Sequence, residues 1–274
     1  MKKNILIVSG SPRKKGNTMA MARILEEKMA DMEPDLAFEY LYLVDRDLKY
    51  CLGCMNCLKR GGQHCPIKDD AGLILTALKK ADGLVFLSPG YAHQVSAMFK
   101  NFLDRFMYLA HLPELVGVPT VVIGTAGYDG AGKIPRYIAD WNLAWWGCDV
   151  VARLGFAHVV FTLNGNYRRK AIGMIEVAAR DFIEAMKRKH PPRPSLRQYF
   201  YFLFNRMETE FCESGMPARY GFWKDRGWLE SDYYYDTKVG LTKKVLGRAM
   251  LRLIESRAKK DLGRDYRERL KDYY

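Results

Sequence analysis

The stretch Asn4-Ile5-Leu6-Ile7-Val8-Ser9-Gly10-Ser11-Pro12-Arg13-Lys14-Lys15-Gly16-Asn17-Thr18 decides the fold. Ile5 to Val8 is apolar at every position, the pattern of a strand covered on both faces. Ser-Gly-Ser-Pro ends that strand, and a helix-like stretch, Thr18–Met32, follows. A loop running from a strand into a helix N-terminus offers free backbone N–H groups and the positive end of the helix dipole, which suits an anion. Ser11 and Thr18 add hydroxyls and Arg13 a charged fork. Two other phosphate loops are excluded by residue. Asn17, not Lys, precedes Thr18, so the nucleoside triphosphate pattern is broken. Counted from Gly10, the second and third glycine positions of the dinucleotide fingerprint are Pro12 and Lys15. A loop for a single terminal phosphate remains, with an ordinary Ser- and Gly-rich turn as the alternative.

Outward from this stretch the same alternation continues. Strands are predicted at Asn4–Ser9, Leu36–Leu43, Gly83–Ser88, Thr120–Thr125 and Gly155–Thr162. Helices are predicted at Thr18–Met32, Ala71–Lys80, Val95–His111, Gly132–Trp146 and Arg169–Lys189. Five strand–helix units in series imply an open parallel sheet with right-handed crossovers and helices on both faces. The rhythm stops at His190-Pro191-Pro192-Arg193-Pro194, where prolines end the helix and stiffen the chain. Residues 1–189 thus form one expected domain. Residues 190–274 form a basic, aromatic-rich extension, helical at Ser195–Cys212 and Thr237–Lys260.

The 274 residues carry 44 Lys and Arg against 31 Asp and Glu, a formal net charge of +13, with 49% hydrophobic residues. Such a composition excludes a disordered or collagen-like polymer. Residues 1–189 hold 26 basic and 19 acidic side chains, residues 190–274 hold 18 and 12, so positive charge is densest in the extension. A nucleic-acid surface is available on that count, but no nucleic-acid motif is present. A membrane-surface helix at Arg197–Met207 has aromatics too dense for one clean apolar face. Aromatic packing onto the core or a second subunit is the simpler reading, and a basic surface can receive an acidic carrier protein such as a ferredoxin, or the phosphates of NADPH. No apolar run approaches the ~20 residues of a membrane span. With no export signal, the expectation is a cytoplasmic protein.

Of six cysteines, Cys51, Cys54, Cys57 and Cys65 fall in one C-x2-C-x2-C-x7-C cluster, while Cys148 and Cys212 stand alone and read as buried small hydrophobes. Two-residue gaps let successive thiolates converge on one centre. Three readings stay open: a 4Fe–4S cluster, a tetrahedral zinc site, and reduced metal-free thiols. His64 reads as a surface residue, and Asp69 or Asp70 as a cap for the next helix.

Three segments carry a resemblance. Gly10-Ser-Pro-Arg-x-x-Gly-Asn-Thr18 resembles the FMN phosphate loop of the flavodoxin-like NAD(P)H-dependent FMN reductases. Ser88-Pro89-Gly90-Tyr91, with Ser96, Lys100, Phe102 and Asp104-Arg105 beyond it, is similar to a second family segment. Thr125-Ala126-Gly127-Tyr128 stands where the family places its other flavin loop. The cysteine run, followed by Ile67-Lys68-Asp69-Asp70, resembles that of the iron–sulfur flavoproteins, which share the domain.

The resemblance implies a flavodoxin-like five-stranded parallel sheet of order 2-1-3-4-5 that binds FMN where the strand order reverses. The implied cofactor residues are Ser11, Arg13, Gly16, Asn17 and Thr18 for the phosphate, and Pro89, Gly90, Tyr91, Thr125, Ala126 and Gly127 around the ring. Cys51, Cys54, Cys57 and Cys65 are the implied cluster ligands. No protein side chain is expected to be catalytic, since the flavin carries the chemistry; Lys100 and Arg105 read as ion-pairing residues. The implied function is an FMN-dependent oxidoreductase of the electron-transfer, iron–sulfur flavoprotein kind, with NAD(P)H or ferredoxin as donor. One alternative is a cluster-free NAD(P)H-dependent FMN or quinone reductase. Another is a non-catalytic electron carrier or thiol redox sensor whose tail binds a partner. The resemblance also implies a dimer or tetramer.

Overall fold

The computed structural model describes residues 2–263 and 265–273. In it the chain divides into two compact units. The first comprises Met1–Cys51, Asp69–Met107 and Glu114–His190; the second comprises Leu52–Lys68, Tyr108–Pro113 and Pro191–Tyr274. The second unit therefore draws in two segments from within the first 189 residues, beyond the extension that the composition marks out.

The first unit is built on strands β1 (Lys3–Ser9), β2 (Leu36–Tyr42), β3 (Gly83–Tyr91), β5 (Pro119–Ala126) and β6 (Asp149–Ala157), all parallel, in the order β2-β1-β3-β5-β6. A two-residue strand, β4 (Gln94–Val95), folds back antiparallel on the end of β3. The order is the expected one with this short strand added. Alternate residues serve opposite faces. Ile5, Ile7, Val85, Leu87, Val121 and Ile123 pack with helices α1 (Asn17–Met32) and α7 (Gly165–Lys187). Phe86, on the other face, meets Phe99 and Phe102 of α4 (Ala97–Arg105) and Trp146. Both faces are covered, which is why these strands are apolar throughout. Helix α1 turns Met19, Ala22, Leu25 and Met29 inward at helical spacing.

Two expectations are corrected. The fifth strand, placed at Gly155–Thr162, runs instead from Asp149 to Ala157, and His158–Leu163 is a helix, α6. β6 is an edge strand, so its half-buried sequence carries Asp149 and Arg153 and lacks a continuous apolar signature. The helix placed at Val95–His111 starts later, because Gln94–Val95 pairs with β3; α4 is followed by a separate 3-10 turn, Met107–Ala110. Helix α3 (Ala71–Lys80) falls where expected. The Gly132–Trp146 stretch becomes α5 (Lys133–Ile138) and a π-helical turn, Ala139–Leu143.

The second unit contains the short helix α2 (Asn56–Lys59) and helices α8 (Leu196–Phe211), α9 (Pro217–Asp225), α10 (Leu241–Leu262) and α11 (Tyr266–Tyr273). Its core is aromatic: Phe202 of α8 contacts Trp223, Tyr233 and Tyr234, and Trp228 stacks edge-on against Trp223. Several buried polar groups are matched, although His111 Nδ1 has no hydrogen-bond partner among the described residues. Trp223 Nε1 donates to the His111 carbonyl, Asn205 Nδ2 to the Ala110 carbonyl, and the Arg219 guanidinium to Thr209 Oγ1, the Asn205 carbonyl and Glu208. Gly247 lets α10 approach α8, since a Cβ there would lie 2.9 Å from Leu203 and 3.0 Å from Tyr199. Among the described residues no helix is long and apolar enough to cross a membrane.

Candidate functional site

All three loops singled out in the sequence leave the carboxyl edge of the sheet, after β1, β3 and β5. The first is held from within and from outside. Ser11 Oγ accepts from the Arg13 N–H (3.2 Å) and donates to the Arg13 carbonyl (3.1 Å), and Gly16 N–H donates to that carbonyl as well (3.1 Å). Gly10 N–H donates to the Leu87 carbonyl (2.9 Å). A Cβ on Gly10 would lie 2.5 Å from the Phe99 ring, so only glycine fits. Helix α1 then begins at Gly16 with no side-chain cap and no acid in its first turn. Its first N–H groups have no intrahelical acceptor, so the chain offers an anion an uncontested helix end.

Ser96 and Thr18 fasten the loops together. Ser96 caps α4 by accepting from Phe99 N–H, donates from Oγ to the Gly10 carbonyl (2.6 Å), and sends its own N–H to Ser88 Oγ (3.1 Å). Thr18 Oγ1 lies 2.7 Å from Thr125 Oγ1, with both residues buried. The Thr18 hydroxyl, expected to face a phosphate, is therefore engaged in tying the first loop to the third. Ser11 is also buried, while Arg13 is exposed.

Pro89 pairs in register with Thr125, which sets the second loop beside the third. Gly90 is closely enclosed: a Cβ would sit 3.1 Å from Ile134 and 3.2 Å from the Thr125 carbonyl. Next, Tyr91 and Gln94 pair across a two-residue hairpin whose loop, Ala92-His93, has φ of 50° and 60°. That left-handed pair of non-glycine residues is costly. A cleft of about 290 Å³ opens here, bounded by Gly90, Ala92, His93, Ala126, Gly127 and Asp129. Tyr91 and Tyr128 are exposed, and Gly127 has open space where a Cβ would stand. Ala92, His93, Asp129 and Ile134 were not legible as site residues. Asp129-Gly130 is a recognisable turn pair, but Ala92-His93 lacks the Asn or Gly that marks a hairpin.

Lys100 and Arg105 are both ion-paired. Lys100 meets Asp104 one turn on (2.5 Å), and that hydrogen bond raises the amine's pKa. Arg105 meets Asp69 (2.8 Å) in a pair closed from solvent, with its Nε and Nη1 left without a hydrogen-bond partner. Asp69 also accepts from Lys49 N–H (3.0 Å) and from Ala71 N–H at the start of α3 (3.1 Å), while Asp70 holds the cap position without a side-chain bond to the helix. Asp70 accepts from Asp47 N–H (3.0 Å).

The cysteine segment is built differently. Gly53, Met55 and Gly61 all have left-handed backbone, on either side of the four-residue α2. None of the four forms a disulfide; Cys51 and Cys54 are exposed, Cys57 and Cys65 half-buried. Among the described residues no three His, Cys, Asp or Glu side chains are gathered to hold a metal ion. Cys148 and Cys212 are buried as expected.

A parallel sheet of this order, with a glycine-lined cleft and an open helix end at its carboxyl edge, defines a flavodoxin-like flavin-binding fold. Residues 3–157 match the family model of the NADPH-dependent FMN reductases, and the chain belongs to that family. It is an FMN-dependent oxidoreductase. It is 27% identical over 230 residues to an iron-sulfur flavoprotein of Archaeoglobus fulgidus, covering 81% of this chain and 98% of that one. It is 30% identical over 204 residues to an iron-sulfur flavoprotein of Clostridioides difficile, covering 73% and 86%. Among solved structures it is similar in fold to RosB with bound 8-demethyl-8-formylriboflavin-5'-phosphate (TM-score 0.52, 14% identity, 87% of this chain and 92% of that one).

Proposed function

We infer that the first unit holds FMN with its phosphate at the Ser11–Thr18 loop and its ring beside Pro89–Tyr91 and Thr125–Gly127. The observation that carries this reading is the locking of three loops around an uncapped helix end by Ser96 and the Thr18–Thr125 pair. Backbone N–H groups of Lys14, Lys15, Asn17 and Thr18 and the Arg13 guanidinium are the anion donors; the buried hydroxyls of Ser11, Thr18 and Ser96 fix where those donors point. The close walls at Gly10 and Gly90 fit a cofactor that needs backbone approach. Bound FMN supplies hydride and single-electron chemistry; the chain supplies orientation, hydrogen-bond donors near the ring's electron-rich edge, and a cleft open to a second reactant.

Cys51, Cys54, Cys57 and Cys65 are the residues that would hold a 4Fe–4S cluster, which exchanges single electrons when bound. Four thiols are the right donor set, and the names of the two relatives favour this reading. The ungathered thiols, two of them exposed, favour a second reading: a cluster-free NAD(P)H-dependent reductase of free flavin or a quinone. In either case cysteines that form no disulfide fit a reducing, cytoplasmic compartment, with the chain acting as a homo-oligomer and NAD(P)H or an acidic ferredoxin-like carrier as donor.

Purification without oxygen, with an absorption spectrum and metal analysis, tests both. Flavin bands with about four irons per chain support the cluster; flavin without iron supports the second reading; absence of flavin overturns the site. Arg13→Ala weakens FMN retention if the phosphate site is correctly placed, and unchanged retention shows that it is not.

A further inference from the structure

Helix α10 has two faces of different chemistry. Its inner face, centred on Gly247, lies on α8. Its outer face exposes Leu241 (78%), Val245 (59%), Leu246 (45%) and Leu253 (72%). Arg248, Arg252, Arg257, Lys259 and Lys260 are exposed along the same helix, and the one exposed carboxylate, Asp261, is paired with Arg257 at 2.6 Å. At 1.5 Å per residue the 22-residue helix is roughly 33 Å long. Beside it, a cavity of about 230 Å³ within the second unit is lined by Arg206, Glu210, Arg248, Arg252, Glu255 and Arg267. Glu255 is taken by Arg267 (2.5 Å), and Arg206 donates to the Ser231 carbonyl (2.8 Å). Arg248 and Arg252 have no ion-pair partner among the described residues, and they stand one turn apart between this cavity and the apolar stripe.

We propose that the outer face of α10 docks the protein onto an anionic phospholipid surface, with Leu241, Val245 and Leu253 entering the headgroup layer and Arg248 and Arg252 meeting lipid phosphates. Charge complementarity selects this occupant. An apolar stripe bordered by unpaired arginines matches the chemistry of a negatively charged bilayer interface, where each basic side chain and each buried apolar side chain adds affinity. A second copy packed by two-fold symmetry would set Arg248 and Arg252 against the same arginines of its partner, which is repulsive. The surface helix considered from composition, Arg197–Met207, does not serve, since Tyr199, Tyr201, Phe202 and Leu203 are buried in the second unit's aromatic core.

The test is co-sedimentation of the flavin-loaded full chain with phosphatidylcholine vesicles, with and without about 30% phosphatidylglycerol. Binding is expected only with the anionic lipid and is expected to fall with salt. Arg248→Ala with Arg252→Ala is expected to lower partitioning roughly 30-fold, and Val245→Asp with Leu253→Asp to abolish it. Flavin content and NAD(P)H oxidation by either variant should be unchanged, because every altered side chain is at the surface. Equal partitioning to both vesicle types overturns the proposal. So does loss of binding with the arginine variant alone, the aspartate variant being unaffected, which would mark a general polyanion site. A dimer in sedimentation velocity that the aspartate variant dissolves, with no vesicle binding, would assign the face to a second copy instead.

Discussion

The Gly10–Gly16 loop and the Cys51–Cys65 segment both carry candidate ligands, and they are ordered by opposite means. The first is fixed before anything binds: Ser11 closes it on itself, Ser96 and Leu87 hold its start, and Thr18 ties the helix after it to Thr125. The second turns through three left-handed residues around one short helix and forms no disulfide. Its anchors stand outside it, where Asp69 and Asp70 hold the backbone of Asp47 and Lys49. A preformed cradle gives affinity by avoiding ordering costs. A donor set that is not gathered in advance couples its order to the ligand. The difference teaches that the candidate phosphate loop is a property of the apo fold, whereas the cysteine segment takes its course from left-handed turns.

The largest effect should come from breaking those anchors. Asp69→Ala strands the Arg105 guanidinium, already short of partners at Nε and Nη1, in a site closed to solvent. Removing one partner of a buried pair costs about 3–5 kcal/mol, so the midpoint of urea unfolding should fall steeply. A loss below about 1 kcal/mol would mean that water replaces the carboxylate.

Thiol chemistry sharpens the contrast next. Burial raises the Cys148 thiol to about 12 and also raises that of Cys212. A thiol with a raised pKa stays protonated and inert until the pH approaches that value, so at pH 8 both should be spared. Iodoacetamide on metal-free protein should label Cys51 and Cys54 at least ~100-fold faster than Cys148, read by peptide mass mapping. Comparable labelling of Cys148 would show that its surroundings open. Protection of Cys51 and Cys54 on iron reconstitution would identify them as ligands.

Within the flavin loop, Thr18→Val leaves the Thr125 hydroxyl buried without its partner, at a cost of about 1–3 kcal/mol. The double variant with Thr125→Val should recover most of that stability, since both polar groups are then gone. FMN affinity should fall in the single variant through the loosened loop. Additive losses in the double variant would show that the two hydroxyls work separately.

The same contrast governs what was legible in sequence. Ile5–Val8, Leu84–Leu87 and Val121–Ile123 could be read as strands because both faces of the sheet are covered and every position must be apolar. The loops after them were legible because a strand leading into a helix leaves N–H groups for an anion. β6 was misplaced because an edge strand tolerates Asp149 and Arg153, while the β-branched and aromatic run Val159–Thr162 imitates a strand and folds as a helix. The joining of Tyr108–Pro113 to the second unit left no local trace: it rests on the His111 and Ala110 carbonyls meeting Trp223 and Asn205, about a hundred residues away in sequence. α9 went unread because its short span mixes Gly221, Phe222 and Trp223 with no clear period.

The smallest effect runs in the opposite direction. The Ala92-His93 hairpin holds two non-glycine residues in left-handed backbone at the rim of the cleft. Each costs about 1 kcal/mol that glycine would not. His93→Gly removes one such cost but gives the unfolded chain more freedom, which offsets about 0.4–1 kcal/mol. The net gain should be a few tenths of a kcal/mol, about 1 °C in the midpoint of thermal unfolding. Strain retained at a cleft rim is worth holding only if the imidazole there meets a reactant. The same variant should therefore raise KM for the electron acceptor with FMN retention unchanged. Lower thermal stability would show that His93 is held by packing rather than held for use. Unchanged kinetics in a stabilised variant would place the acceptor elsewhere along the cleft.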